Sequence, residues 1–453
     1  MYIGKYKVLG LLGRGGMGRV YKVKLPLIDK IVALKLLRPH EHMTGLLGRD
    51  RIEEMFMSEA RILGRLRHPN VASILDFDRD LENRPFFSME YHCKNLGDMI
   101  GEHYLMEAPT RLIDPARAFR YAGQVLAGLD RLHHDGILHR DIKPYNILIT
   151  DRDEVKIIDF GLSLLRGETH RVPGGFKIGT PYFAAPEQES DPNRVDERSD
   201  LYSVGVMVWR MLTGYLPPET AEKTRPGEIN ELLGEYWDDF LLKATHPEKA
   251  KRFSDCRDMQ ESMKIAYKKW YDNLEQACRM QTPEEEAGME VEGKKRVLRK
   301  KPLKVQVWNA ERVFGLDSQW RPRIRRKITF TPEEPGIVKD LSHGLIWQQG
   351  GTRYPAEWTK AGEYINFLNK IEFAGICTWR LPTIDELETQ IRRASILGEY
   401  CAPSVFDAGR RRLWSADSKS FTAAWFVDTS LGYVGAADFT CPCHIRAVSD
   451  EGF

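Results

Sequence analysis

The sequence predicts an α+β chain of two folded units, a larger one running from strands into helices and a smaller, strand-rich one. Three observations predict this. Strand-like runs follow one another closely at the start, long apolar helical stretches come after them, and the composition changes near residue 275 before an aromatic-rich segment. At roughly 150 residues per domain, the 453 residues suffice for two or three domains and a large core.

Lys7–Leu12 and Val20–Lys24 flank a glycine-rich turn, and Ile31–Leu36 is a β-branched apolar run, so three strands are expected in succession. From about Arg51 to Leu66 the apolar residues Ile52, Met55, Phe56, Ala60 and Leu63 recur at helical spacing. Asp114-Pro115 has the form of an N-cap followed by proline at the first helical position, opening a helix to about His134. A second apolar helix fits Ser199–Leu212 and is stopped by Thr213-Gly214 and Pro217-Pro218.

Residues 273–335 read as an acidic-then-basic linker. Glu284-Glu285-Glu286 opens it, and residues 291–330 hold 13 Lys/Arg against 3 Asp/Glu, although Val305, Val307, Trp308, Val313 and Phe314 suggest that part of it packs. Beyond Pro335, short apolar pieces alternate with Gly, Thr, Ser and Asp, and five of the ten tryptophans lie there: Trp347, Trp358, Trp379, Trp414 and Trp425. Composition excludes several classes. With 42% hydrophobic and 29% charged residues the chain is neither disordered nor fibrous, and a net charge of +2 gives no chain-wide case for a nucleic-acid or acidic-membrane partner. No apolar run nears the ~20 residues that cross a bilayer, the start lacks a secretion signal, and seven cysteines in so long a chain form no disulfide scaffold. A soluble protein of a reducing, cytoplasmic compartment is expected.

Gly13-Arg14-Gly15-Gly16-Met17-Gly18 lies between two of the expected strands. Glycines let backbone N–H groups approach a phosphate without a Cβ in the way. A dinucleotide-binding turn would lead into a helix; here Val20-Tyr21-Lys22-Val23 reads as a strand, so a loop folded over a triphosphate fits better. Val32-Ala33-Leu34-Lys35 then ends in a lysine, and Glu59 follows on the next helix. Further on come His139-Arg140-Asp141-Ile142-Lys143-Pro144-Tyr145-Asn146, Asp159-Phe160-Gly161 and Ala185-Pro186-Glu187.

This ordered set resembles the eukaryotic-type protein kinases, and most closely the bacterial serine/threonine (Hanks-type) kinases, over about residues 1–270. The resemblance implies a bilobal kinase fold over 1–272, with an N-lobe of about 1–92 and a C-lobe of about 93–272. It implies ATP with Mg²⁺ (or Mn²⁺) as cofactors, and transfer of the γ-phosphoryl group to Ser or Thr of protein substrates and of the chain itself. Asp141 would orient the substrate hydroxyl and accept its proton, Asn146 and Asp159 would hold metal, and Lys35, tied to Glu59, would position the α/β-phosphates. Lys143 would contact the γ-phosphate, a mark of the serine/threonine class. Val20, Ala33 and Leu148 would sandwich adenine, with Met89 as gatekeeper before the hinge residues Glu90, Tyr91 and His92. Asp200, Glu187 and Arg252 would form a structural ion network, His139 a packed anchor, and His133, His134, His40 and His42 ordinary histidines. The alternative is a pseudokinase scaffold, although none of the residues that such proteins lose is missing.

Arg140 before Asp141 marks, in that family, an activation segment ordered by a phosphate. Of Ser163, Thr169, Thr180 and Tyr182 in that stretch, Thr169 is the expected autophosphorylation site, flanked by Arg166 and Arg171, while Thr180 is expected to be structural.

From Gly344-Leu345-Ile346-Trp347 through Trp379-Arg380-Leu381-Pro382-Thr383 to His444-Ile445-Arg446-Ala447-Val448, the C-terminal stretch resembles the domain of unknown function found in bacterial collagen-like adhesins. That domain is related to C-type-lectin-like folds, and the resemblance implies an α+β recognition domain over 336–453 for a ligand or protein partner. Its tryptophans are expected in the core. Cys441 and Cys443 with His444 stay open between a metal site, a disulfide and free buried thiols. The basic stretch is expected to be a solvated tether or to dock on an acidic kinase face, with nucleic acid or anionic lipid as the alternative.

Overall fold

The computed structural model describes residues 1–15, 17–102, 108–159, 164–165, 182–190, 195–218, 224–280, 297–324, 328–333, 336–392 and 402–450. The chain divides into two compact units, Met1–Asp272 and Asn273–Phe453.

The first unit opens with strands β1 (Tyr2–Ile3), β2 (Tyr6–Arg14), β3 (Gly18–Lys24) and β4 (Ile31–Leu37). Helices α1 (Glu41–Leu47) and α2 (Arg49–Arg65) follow, then β5 (Ile74–Arg79) and β6 (Pro85–Glu90). The strands form one antiparallel sheet in the order β1-β2-β3-β4-β6-β5. Alternation divides its residues between two faces. Tyr21 and Val23 of β3 and Val32, Leu34 and Leu36 of β4 join Ile3, Tyr6 and Phe86 in a buried cluster, which leaves Val20, Ala33 and Lys35 on the opposite face. On α2, Ile52, Phe56, Glu59, Ala60 and Leu63 are buried, one stripe at helical spacing. Its Phe56 ring packs on Phe87, centroids 5.1 Å apart. The stripe that buries the helix therefore also turns Glu59 toward β4.

After β6 come β7 (Lys94–Asn95), α3 (Leu96–Ile100), α4 (Pro115–His134), β8 (Ile137–Leu138), β9 (Ile147–Ile149), β10 (Val155–Ile157) and β11 (Leu164–Leu165). Helices α5 (Pro186–Ser190), α6 (Glu197–Thr213), α7 (Pro226–Ile229), α8 (Asp238–Ala244) and α9 (Cys256–Met280) complete this part. The Asp114 carboxylate accepts from Arg117 N at 3.1 Å, with Pro115 opening α4. Helix α6 is buried on nearly every side, the signature of a core helix. A Cβ on its Gly205 would lie 2.7 Å from the Ala244 Cβ, so that position admits α8 only without a side chain. Arg210 of α6 forms a fully buried ion pair with Glu102 at 2.7 Å.

The second unit contains α10 (Val307–Phe314), β12 (Phe330–Glu333), β13 (Ile337–Asp340), β14 (Leu345–Gln348), α11 (Ala361–Lys370) and α12 (Ile384–Leu387). Strands β15 (Arg412–Ser418), β16 (Ala423–Asp428), β17 (Tyr433–Asp438) and β18 (Val448–Asp450) follow. They build two antiparallel sheets, β12-β13-β14-β18 and β15-β16-β17. Trp347, Trp414 and Trp425 are fully buried and Trp379 nearly so, while Trp358 stacks on Phe439 at 4.4 Å. The Trp379–Thr383 segment is a structural clip. Arg380 pairs by both backbone groups with Val448 and by two guanidinium nitrogens with Glu386, and Thr383 caps α12 in a capping box with Glu386.

The linker expected over 273–335 needs correction. Val305, Ala310, Phe314 and Leu316 belong to the core of the second unit, and Leu298, Val313, Trp320 and Phe330 pack against it. Trp425 donates its indole N–H to Val305 O at 2.9 Å and stacks with Trp320. Part of the basic character is also spent internally, since Arg299 pairs with Asp417 and Asp385. Burying these apolar side chains outweighs solvating the charges that alternate with them. Cys441 and Cys443 are buried and carry no disulfide, and no group of three or more His, Cys, Asp or Glu placed to hold a metal occurs among the described residues.

Candidate active site

The glycine-rich segment forms the turn between β2 and β3. Gly13 stands opposite Val20 and Arg14 opposite Arg19, and Gly15 N donates to Gly18 O at 2.9 Å. A Cβ on Gly18 would lie 2.3 Å from Leu36 O, so only glycine fits where β3 meets β4. Met17 is buried and its carbonyl accepts from Arg38 N, which pins the turn to the end of β4. Gly16 lies outside the described residues.

On the far face of β4, Lys35 is 8% exposed. Its Nζ donates to both Glu59 oxygens, at 2.7 and 2.9 Å, and to Asp159 Oδ1 at 2.9 Å. Burial alone would lower its pKa, but Asp159 and Glu59 reverse that and hold it above the ordinary lysine value. Asp159 is pushed down to about 2, chiefly by the Lys35 charge. Its backbone sits in the left-handed region, φ 68°.

The loop between β8 and β9 is hung from helix α6. Asp200, 1% exposed, accepts from His139 N at 2.9 Å, Arg140 N at 2.7 Å and the His133 ring at 2.8 Å. His139 accepts from Asp141 N on Nδ1, so its Nε2–H donates to Ile158 O. Asn146 O accepts from Ile158 N at 3.0 Å, which places Asn146 beside the strand end that carries Asp159. Asp141 Oδ2 accepts from Lys143 Nζ at 2.8 Å and from Asn146 Nδ2 at 3.0 Å. Asn146 thus spends its amide N–H₂ within the protein. Its Oδ1, like Asp159 Oδ2, has no hydrogen bond among the described residues; both are hard oxygen donors of the kind that Mg²⁺ takes.

Ala33 stands opposite Met89, and both are buried; Val20 and Leu148 are half-buried, with Leu148 opposite Lys156. Glu90 and His92 meet each other and Lys156 rather than the Asp141 group. Arg140 is 1% exposed with its backbone at φ 67°, and none of its three side-chain nitrogens has a hydrogen-bond partner among the described residues. Burial lowers its pKa, only partly offset by Asp200. Phe160, Gly161, Ser163, Arg166, Thr169, Arg171 and Thr180 lie outside the described residues.

Glu187 pairs with Arg252 through two bonds, 2.7 and 2.9 Å, and accepts from Ser199 at 2.6 Å. Two residues escaped the sequence reading. His133, expected to be ordinary, bridges Asp200 and the Cys256 thiol, and Gln188 donates to Arg140 O at 2.9 Å. Nothing in helical periodicity separates a buried histidine that holds a loop from one that fills space.

Residues 6–271 match the protein kinase domain family, which is more than half of the chain, and the chain belongs to that family. Its members use ATP with Mg²⁺ or Mn²⁺. Similar proteins include the serine/threonine-protein kinase pkn3 of Myxococcus xanthus, 38% identical over 224 residues that make up 48% of this chain and 39% of that one. The serine/threonine-protein kinase PksC of Streptomyces coelicolor is 32% identical over 284 residues, 58% of this chain and 49% of that one. The chain thus spans less than half the length of either relative. The kinase domain structure of Mycobacterium tuberculosis PknI is similar at 23% identity and TM-score 0.44, covering 59% of this chain and 97% of that one. Residues 336–449 match the Lcl C-terminal domain. No helix among the described residues is long and apolar enough to cross a membrane.

Proposed function

We propose that the chain is an active serine/threonine protein kinase that transfers the γ-phosphoryl group of ATP to protein hydroxyls, its own included. The observation that carries this is the joining of two triads: Lys35 held by Glu59 and Asp159, and Asp141 held by Lys143 and Asn146. Phosphoryl transfer needs positioning and cationic stabilisation more than covalent chemistry. Lys35, fixed by Glu59, orients the α/β-phosphates under the turn Gly13–Gly18. Asp141 orients the attacking Ser or Thr hydroxyl and takes its proton as the new P–O bond forms and the bond from the γ-phosphorus to the β,γ-bridging oxygen breaks, releasing ADP. Lys143 stands where it can accompany the transferred group. Asn146 and Asp159 would hold the divalent cation, which supplies charge neutralisation when bound. Val20, Ala33 and Leu148 enclose adenine, with Met89 behind it and the backbone of Glu90 and His92 along its edge.

Arg140 supports control by phosphorylation. A buried guanidinium with no hydrogen-bond partner among the described residues is costly, and a phosphate is its best bidentate match. Thr169, modified by ATP, is the proposed bearer of that phosphate. Residues 336–453 are proposed to be a C-type-lectin-like domain that recognises a ligand or protein partner; two antiparallel sheets over a tryptophan-rich core support this.

The test is incubation with radiolabelled ATP, Mg²⁺ and a generic basic protein. Label on that protein and on the chain, abolished by Asp141→Asn, is expected. Absence of label with wild type and variant alike would turn the reading to a scaffold with a kinase fold.

A further inference from the structure

We infer that Glu90 and Lys156 form a brace across the hinge that sets the spacing between the two surfaces enclosing adenine. The inference rests on the ATP reading above and names positioning residues for it. Glu90 is the last residue of β6, paired with Val32 in the six-stranded sheet, one step from the Met89–Ala33 pair on the roof of the proposed adenine slot. Lys156 is the middle residue of β10 and stands directly opposite Leu148, on the floor of the slot. Lys156 Nζ reaches Glu90 Oε2 at 2.9 Å, with side-chain exposures of 17% and 34%. One ion pair thus ties the strand carrying the roof to the strand pair carrying the floor.

The same strand is anchored at a second point. Ala72 N donates to Ile157 O, Ile157 N to Asn70 O, and the Asn70 side chain to Val155 O. Those bonds all end on backbone groups of β10 and do not involve the segment 90–92. Beyond Lys156, the short β7–β9 pairing, Lys94 with Ile149 and Asn95 with Leu148, also continues the hinge into the floor.

His92 adds a conditional element. Among the described residues its Nε2 and Glu90 Oε2 are both buried without a hydrogen bond; they lie 3.6 Å apart, and Lys156 meets the same oxygen as an ion pair. The groups acting on it are Glu90 from β6, Lys156 from β10 and Asp151 from the β9–β10 turn. Burial, helped by Lys156 and opposed by Glu90 and Asp151, keeps its pKa below the ordinary histidine value. Burial therefore favours the uncharged ring, which leaves Glu90 to Lys156. Removing the Lys156 charge removes one cause of that depression and frees Glu90 for the protonated ring.

The experiment compares Lys156→Met, Glu90→Gln and the exchanged pair Glu90→Lys/Lys156→Glu, each shown folded by thermal melting. Lys156→Met should raise KM for ATP by about three- to fivefold at pH 7.5 with kcat changed by less than about twofold. Glu90→Gln should raise KM similarly, and the exchanged pair should restore most of it. Lowering the pH to about 6 should return part of the loss in Lys156→Met but not in Glu90→Gln, which a merely structural role would not produce. Hydrogen exchange of amides 91–95 in the nucleotide-free protein should quicken in both single variants. Wild-type KM in Lys156→Met, or failure of the exchanged pair to recover, overturns the brace. If wild type binds no ATP, the ATP reading falls separately and hydrogen exchange alone decides whether the brace exists.

Discussion

Asn146 donates its side-chain amide to Asp141 twice, 2.8 Å to the backbone carbonyl and 3.0 Å to the carboxylate. One residue thereby fixes both the position of the proposed base and its rotamer. Replacing Asp141 with Asn keeps the shape but removes the acceptor for the hydroxyl proton. The phosphotransfer rate should fall by about 10²–10⁴-fold, while ATP affinity, measured by a fluorescent analogue, stays within a fewfold of wild type.

Asp159→Asn should abolish most metal-dependent turnover, read as kcat across a Mg²⁺ titration. Its pH signature follows from the depressed pKa. A carboxyl at about 2 in the fold, against an ordinary 3.8, is ionised in both states above pH ~4, so its contribution to stability is complete there. That contribution is lost as pH falls from about 4 toward 2. Thermal melts should show the gap between wild type and Asp159→Asn shrinking across that window, and a gap that widens instead would contradict the Lys35–Asp159 pairing.

Lys35 and Glu59 are coupled, and their variants should not add. Lys35→Met leaves the Glu59 carboxylate, 2% exposed, without its cation and should cost about 3 kcal/mol or more of stability. Lys35→Met/Glu59→Gln should recover a large part of that loss in denaturant melts without recovering activity.

Arg140→Met should act in opposite directions on stability and activity. Removing a buried charge with no hydrogen-bond partner among the described residues should stabilise the unphosphorylated protein by about 1–2 kcal/mol. Activity should become insensitive to phosphatase treatment, whereas wild type should lose activity on dephosphorylation and Thr169→Ala should mimic that loss. Phosphopeptide mapping with Thr169 unmodified in fully active protein would remove the Thr169 assignment.

In the second unit, Trp425→Ala should cost about 3–5 kcal/mol, since the indole packs on Phe314 and Trp320 and holds Val305. Thr383→Ala should cost only about 1 kcal/mol through the lost cap of α12. Both are read from urea denaturation followed by tryptophan fluorescence.

Much of the active-site architecture was written locally. Gly18, Lys35, Glu59, Asp141 and Asn146 are each set by a short spacing within one strand, helix or loop, and α2, α4 and α6 follow from periodicity, an Asp-Pro start and a Gly stop. The extent of the second unit was not legible in the same way. Residues 297–330 carry many cations, and composition describes the solvated side of a segment more loudly than the few apolar residues that bury it. His133 and Lys156 were hidden for a related reason: each matters through a partner far away in the chain, Asp200 and Glu90.

The sequence by itself determined the kinase family, the order of the strands and helices around the site, and the residue types available for phosphate and metal, because backbone conformation and helical or strand period are local properties. Tertiary structure alone decided that Lys35 reaches Asp159, that α6 suspends the loop bearing Asp141, that the Arg140 guanidinium is buried, and that part of a basic stretch is core. Those outcomes depend on which surfaces exclude water together, and no short-range pattern encodes that.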